Sequence, residues 1–389
     1  MKLFQRLLIA PAALGLISPL AANATEVNLN EIENYSNSES IEFVNSFDDN
    51  DLNKTPLLAG GEGLVDTDSY DGGFSETTTA SFSADFGIGA VDGKDVTTTV
   101  TDGDEVLQAG YGFQIDLNTS FTGEDSLDIS LDAGNAGAAL GELDLTGGST
   151  DTLTVDGVSY TFPLGSATAF VGDNTDGSLL FTTACTYGGS NTLDDCANIQ
   201  AGITGGGLSI GAAYDFGNGF TTAAGAQFTE TAIATKGTDD SYALNLAYTT
   251  DSYGASITYS MVESGTANNT YTALNGYYSF DNGLNISAGY EIGDLDGHVA
   301  AADETEAYFI GVNGEVGPGE LGAAVGTYGK MTEASGTMPE RMMYEVYYSY
   351  AVNDGMTITP LIYTVEAGDV NTTGDKDETG IMVKTSFSF

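Results

Sequence analysis

The chain has 389 residues and carries 9 Lys+Arg against 56 Asp+Glu, a formal charge of −47. It holds 52 Gly, 18 Phe and 21 Tyr, but no Trp, a single His and two Cys. So few bases exclude a nucleic-acid binder, and so few His and Cys exclude a zinc module. The aromatic content argues against a disordered acidic tail protein, and the absence of apolar runs of about 18 residues beyond the start excludes a polytopic helical membrane protein.

In chain order, residues 1–24 read as a cleaved secretory signal peptide. Lys2 and Arg6 form its charged region, residues 7–20 its apolar stretch, and Ala22-Asn23-Ala24 its small-residue cleavage site. Residues 25–75 form an acidic segment, mobile or periplasmic, with Lys54 as its only base and a short helix expected near 38–47. Within it, Asp66, Asp68 and Asp71 followed by Gly72 suggest a calcium loop. The EF-hand pattern fails at Tyr70 and lacks its closing Glu.

From residue 76 to 389 the pattern changes to alternation with period two, the signature of half-buried strands. Sixteen strands are predicted: 77–91, 106–119, 125–133, 152–162, 166–171, 201–215, 219–230, 240–250, 253–263, 270–280, 284–291, 304–316, 320–328, 340–352, 356–366 and 378–389. In the eleventh, Leu284, Ile286, Ala288 and Tyr290 share one row, and Asn285, Ser287, Gly289 and Glu291 the other. In the eighth, Tyr242, Leu244, Leu246 and Tyr248 oppose Asn245. In the last, Ile381, Val383, Phe387 and Phe389 oppose Lys384, Ser386 and Ser388.

The connections alternate in length. Short Gly-, Asn- and Asp-rich ones such as 281–283 and 353–355 alternate with long polar ones such as 134–151 and 172–200; only 264–269 breaks the rule. Long at one end and short at the other describes a transmembrane antiparallel β-barrel of about sixteen strands, with short periplasmic turns and long extracellular loops. Outer-membrane lipid is then the partner of the apolar row. The inward row predicts the pore lining: Gln114, Asp116, Asp128, Asp132, Gln227, Asn245, Asn275, Glu291, Glu345 and Lys384. Inward Gly and Ala are expected to leave open space. Acids outnumber bases on that row, which favours cations.

Cys185 and Cys196 sit in an exported chain, so a disulfide is expected, with two free thiols as the alternative. No cofactor and no metal are expected. Gly207-Leu208-Ser209-Ile210-Gly211 matches a nucleophile-elbow pattern, but it lies within a strand and His298 is the only base available, so no enzyme is expected. The competing reading is a surface-exposed, calcium-binding, adhesin-like β-protein.

Asn118-Thr119-Ser120-Phe121-Thr122-Gly123-Glu124-Asp125, then Leu131-Asp132-Ala133-Gly134-Asn135 and Val158-Ser159-Tyr160-Thr161-Phe162-Pro163, with Leu58-Ala59-Gly60-Gly61-Glu62-Gly63 upstream, resemble cyanobacterial outer-membrane porins of the iron-uptake group, which is related to carbohydrate-selective porins. The resemblance is densest over 57–165 and at Phe389. It implies a passive diffusion pore, a homotrimer, and recognition of the C-terminal strand, with Phe387 and Phe389, by the barrel-assembly machinery. It also implies that 172–200 folds inward as a constriction loop stiffened by Cys185–Cys196, with Asp173, Asp176, Asp194 and Asp195 at the eyelet. The S-layer-homology domain usual in that family is not expected here, because only about 35 residues separate the signal from Leu58, too few for that module.

Overall fold

The computed structural model describes residues 78–93, 107–145, 151–196, 207–233, 235, 239–264, 267–296, 304–329, 341–367 and 377–388. The expected signal peptide, the segment 25–75 with its acidic loop, His298 and Phe389 lie outside the described residues, as does the side chain of Asp195.

Sixteen strands follow one another: β1 (Thr78–Asp92), β2 (Gln108–Thr119), β3 (Ser126–Gly134), β4 (Thr154–Leu164), β5 (Ala167–Asp173), β6 (Leu208–Gly217), β7 (Phe220–Phe228), β8 (Ser241–Thr249), β9 (Tyr253–Ser264), β10 (Ala267–Ser279), β11 (Leu284–Asp294), β12 (Glu304–Val316), β13 (Gly319–Thr327), β14 (Met342–Asn353), β15 (Met356–Val365) and β16 (Glu378–Ser388). Each pairs antiparallel with its neighbours in the chain, and β1 pairs with β16 to close the barrel. Closure leaves no sheet edge unpaired, which is what a wall in contact with hydrocarbon requires. Phe387 of β16 packs edge-on against Phe86 of β1 across that seam, with ring centroids 6.0 Å apart.

The predicted alternation is visible in the burial. In β11, Leu284, Ile286, Ala288, Tyr290 and Ile292 are exposed, while Ser287, Gly289, Glu291 and Gly293 are buried. In β8, Leu244 and Leu246 are 61% and 49% exposed, and Asn245 between them is 2% exposed. A barrel wall one strand thick has no core on its outer side, so this row of large apolar side chains faces outward.

Tight turns join the strands at one end. Gly217-Asn218-Gly219 connects β6 to β7 with all three φ values positive (79°, 55° and 88°), a conformation that Gly and Asn adopt most readily. The β2–β3 turn is built on one carboxylate. Asp125 Oδ1 accepts hydrogen bonds from the Ser120 hydroxyl, the Phe121 and Thr122 N–H groups and the Thr122 hydroxyl, all at 2.8–2.9 Å. Its Oδ2 accepts from the Tyr160 hydroxyl at 2.7 Å. These donors, Tyr160 first, hold the Asp125 carboxyl well below the usual carboxylate range. A depressed folded-state pKa stabilises the fold above the unfolded value near about 4, and that contribution is lost as pH falls below it. Asp125→Asn is therefore expected to lower the unfolding temperature at pH 7. The gap from wild type should shrink as pH drops below about 4. Thermal unfolding in detergent across pH checks this; a gap that does not change with pH would contradict it.

Two features depart from the sequence expectation. The connection 134–151 contains a short 3-10 helix, Ala138–Leu143, that turns into the barrel. And β3 and β4 are out of step: Ser130 pairs with Gly157 but Leu131 pairs with Val155, leaving Asp156 as an extra residue in a β-bulge.

Candidate pore and its inward segments

The connection after β5 follows the inner wall. Gln227 of β7 donates to the Thr175 carbonyl at 3.2 Å, and the Ser209 hydroxyl of β6 reaches the same oxygen. Thr182 N–H donates to Asn245 Oδ1 on β8, and Asn245 Nδ2 donates back to the Thr182 carbonyl, both at 3.1 Å. Ala184 N–H donates to Ser256 on β9 and Thr186 N–H to Ser287 on β11, both at 3.0 Å. Donors two residues apart are what extended chain offers to one side, since side chains and N–H groups alternate with period two.

The segment then reaches β14. The Tyr187 hydroxyl donates to Glu345 Oε1 at 2.6 Å, and Ser190 N–H donates to both Glu345 oxygens at 3.3 and 3.2 Å. Burial, together with the adjacent Glu345 carboxylate, raises the pKa of the Tyr187 phenol, so it stays the donor. Glycines on the inner wall make room for this path. A Cβ at Gly311 would lie 2.6 Å from the Tyr187 ring, and one at Gly326 would lie 2.8 Å from Leu193. These inward glycines seat the loop rather than leave open space, which corrects that expectation. Cys185 and Cys196 are joined by a disulfide with a Cα–Cα distance of 6.0 Å.

The predicted lining residues divide accordingly. Gln227, Asn245 and Glu345 face inward but hold the segment 174–196 and are 7%, 2% and 3% exposed. Asn275 and Glu291 are buried on the inner rows of β10 and β11, so they too do not face open water. Lys384 is half-buried on the inner row of β16, the row it shares with Met382. Gln114, Asp116, Asp128 and Asp132 stand on the β2–β3 wall. Gln114 Nε2 donates to Asp116 at 2.8 Å, the Ser130 hydroxyl donates to Asp116 at 2.6 Å, Asn118 donates to Asp128 at 2.6 Å and the Thr154 hydroxyl donates to Asp132 at 2.6 Å.

Between this wall and the start of the inward segment lies a cavity of about 620 Å³. Its lining includes Asp128, Ser130, Asp156, Ser159 and Thr161 from the wall and Asn174, Asp176 and Leu179 from the segment. Of the expected eyelet acids whose side chains are described, Asp173, Asp176 and Asp194, only Asp176 reaches this cavity. Asp173 ends β5 on the outward row with Val171, because Gly172 is the residue beside Ser159 on the inside. Asp194 sits in the short 3-10 turn Asp194–Cys196 and donates its N–H to the Ser190 carbonyl at 2.7 Å.

Asp156 was absent from the predicted lining. Its signal was present: the outward residues Val155 and Val158 are three apart, whereas Val158, Tyr160 and Phe162 are two apart, and such a slip marks a bulge. Ser209 of the elbow-like pattern is a β6 residue in plain strand geometry.

No known protein family matches this sequence, and no curated protein matches it. Solved structures are similar to it in fold. An engineered mutant of Rh. blastica porin superposes with a TM-score of 0.55 at 13% identity, covering 80% of this chain and 100% of that one. An anion-selective porin from Comamonas acidovorans gives 0.58 at 15%, covering 80% and 99%. OprB of Pseudomonas putida at high pH gives 0.58 at 10%, covering 80% and 94%. The chain thus has the closed sixteen-stranded fold of bacterial porins.

Proposed function

We propose that this protein is an outer-membrane channel for passive diffusion of small hydrophilic solutes and ions, with a preference for cations. The observation that carries the reading is the opposition of the two rows. Leu244, Ile257, Ile310 and Val346 face out on strands whose inner rows carry Asn245, Thr258, Asn313 and Glu345. Lipid outside and a polar interior is the arrangement such a wall satisfies. The fold shared with porins supports it, and the acidic β2–β3 wall supports the sign of selectivity. One of those porins is described as anion-selective, so fold alone does not set the sign. Only charges in the narrow part count, because at high ionic strength the screening length is only about 3 Å.

Export by the N-terminal signal, assembly through Phe387 and Phe389, a homotrimeric state, and inorganic iron or sugars as solutes belong to the same reading. Export rests on the signal pattern of residues 1–24, and the others on the cyanobacterial porin resemblance, densest over residues 57–165 and at the C-terminus. Purified protein in planar bilayers is expected to give ohmic current steps and a cation-directed reversal potential across a KCl gradient. An anion-directed potential would remove the selectivity, and absence of steps would remove the channel.

A further inference from the structure

Two inward segments meet inside the barrel. Thr192 donates from its N–H and its hydroxyl to the Glu142 carboxylate, at 3.1 and 3.0 Å, and Asn191 N–H donates to the Glu142 carbonyl at 3.2 Å. Glu142 belongs to the 3-10 helix after β3, Thr192 to the connection after β5. Around this contact the interior is closed and apolar. Val91, Leu140, Leu193, Phe309, Leu361 and Met382 form one cluster, each 3% exposed or less, drawing in the inner faces of β1, β12, β15 and β16. Apolar side chains packed together in this way exclude water. That half of the cross-section is therefore filled.

The wall at β3–β4 is different. Between β3–β4 and the 174–180 stretch lies the cavity of about 620 Å³. Ser159, only 7% exposed, lines it, and its hydroxyl makes no hydrogen bond among the described residues, so that hydroxyl is left for a guest or for water. Asp132 and Asp116 are each tied to a hydroxyl donor of the wall. Asp156 is not: its side chain takes no hydrogen bond among the described residues, and the bulge turns it into the cavity beside Gly157.

We infer that the permeation path is off-axis, running along β2–β4 through this cavity, and that Asp156 is its specificity-determining residue, favouring small hydrated cations. The inference rests on the channel reading and locates its conducting half. A carboxylate with no donor of its own presents its full charge to a passing ion, whereas those bonded to hydroxyls share theirs. The Debye length confines such an effect to the groups that line the path itself.

The test uses the full-length protein in planar bilayers, each variant first checked for barrel formation by its heat-modifiable mobility. Asp156→Asn is expected to lower the K⁺/Cl⁻ permeability ratio by about twofold or more, while Asp173→Asn, on the outward row, leaves it unchanged. Ser159→Cys treated with a positively charged methanethiosulfonate should lose about half its conductance. Ala273→Cys, on the inner row of β10 and 1% exposed, should not respond to the reagent. A cation-selective wild type whose selectivity survives Asp156→Asn, and whose Ser159→Cys form conducts normally after modification, would overturn the off-axis path and leave the channel intact. A wild type without current steps would overturn the channel reading itself.

Discussion

Glu345→Ala is expected to raise single-channel conductance by about 1.5-fold or more and to add current flicker, while Glu345→Gln keeps conductance near wild type. Glu345 is 3% exposed and accepts from the Tyr187 hydroxyl at 2.6 Å and from Ser190 N–H. Truncation leaves both donors buried without an acceptor, at about 1–3 kcal/mol for each. Glutamine keeps a carbonyl oxygen where the Tyr187 hydroxyl needs one, so it removes the charge and retains the latch. The Tyr187 ring is otherwise held by Phe309 and Tyr347, with centroids 5.2 and 5.6 Å away, and by the space above Gly311. The Cys185–Cys196 disulfide spans this tip, so release displaces a closed loop rather than a long free strand. Larger and noisier steps from Glu345→Ala alone would identify the segment as what narrows the channel. Equal steps from wild type, Gln and Ala forms would show that the segment lies outside the conducting path.

The barrel was legible because its physics repeats sixteen times. Rows such as Leu284–Tyr290 against Asn285–Glu291 carry period two, and turns such as Gly217-Asn218-Gly219 fix where each row ends. Strand ends agree within a few residues. The exception is β6, expected from residue 201 and observed from Leu208. The inward path of the connection after β5 was indicated by resemblance and not by its residues. Polar side chains that serve as seats, such as Asn245 and Ser287, read the same as side chains facing water.

The interior was harder to read for the same reason. Alternation reports which row a residue occupies, not what covers it. A second signal was nevertheless present in β14–β16. There Met343, Tyr347, Leu361, Tyr363, Val365 and Met382 occupy the inward row beside Glu345 and Lys384, so stretches of these strands are apolar on both faces. A strand apolar on both faces is covered on both faces. Here the inner cover is the folded-in helix 138–143 together with Tyr187 and Leu193 of the connection after β5. Asp156 escaped because a bulge shifts the row by one residue, and a strict period of two assigns the residues beyond it to the wrong side.

Leu244→Arg is expected to destabilise the folded barrel in phospholipid vesicles by about 2–4 kcal/mol. Leu244 lies near the middle of β8, is 61% exposed, and sits between Ala243 and Asn245, which are 5% and 2% exposed. If its surroundings were water, the change would fall among surface substitutions, within about 0.5 kcal/mol of zero. The two solvents therefore predict clearly different outcomes at one position. Asn282→Arg, in the short turn between β10 and β11, provides the comparison, since a turn residue outside the hydrocarbon should tolerate the charge. Denaturant titration of each variant in vesicles measures both. A large loss at Leu244 with little change at Asn282 would mean that the apolar row contacts hydrocarbon. Equal tolerance at both would mean that water reaches the outer face, and a barrel with an aqueous exterior has no membrane to conduct across.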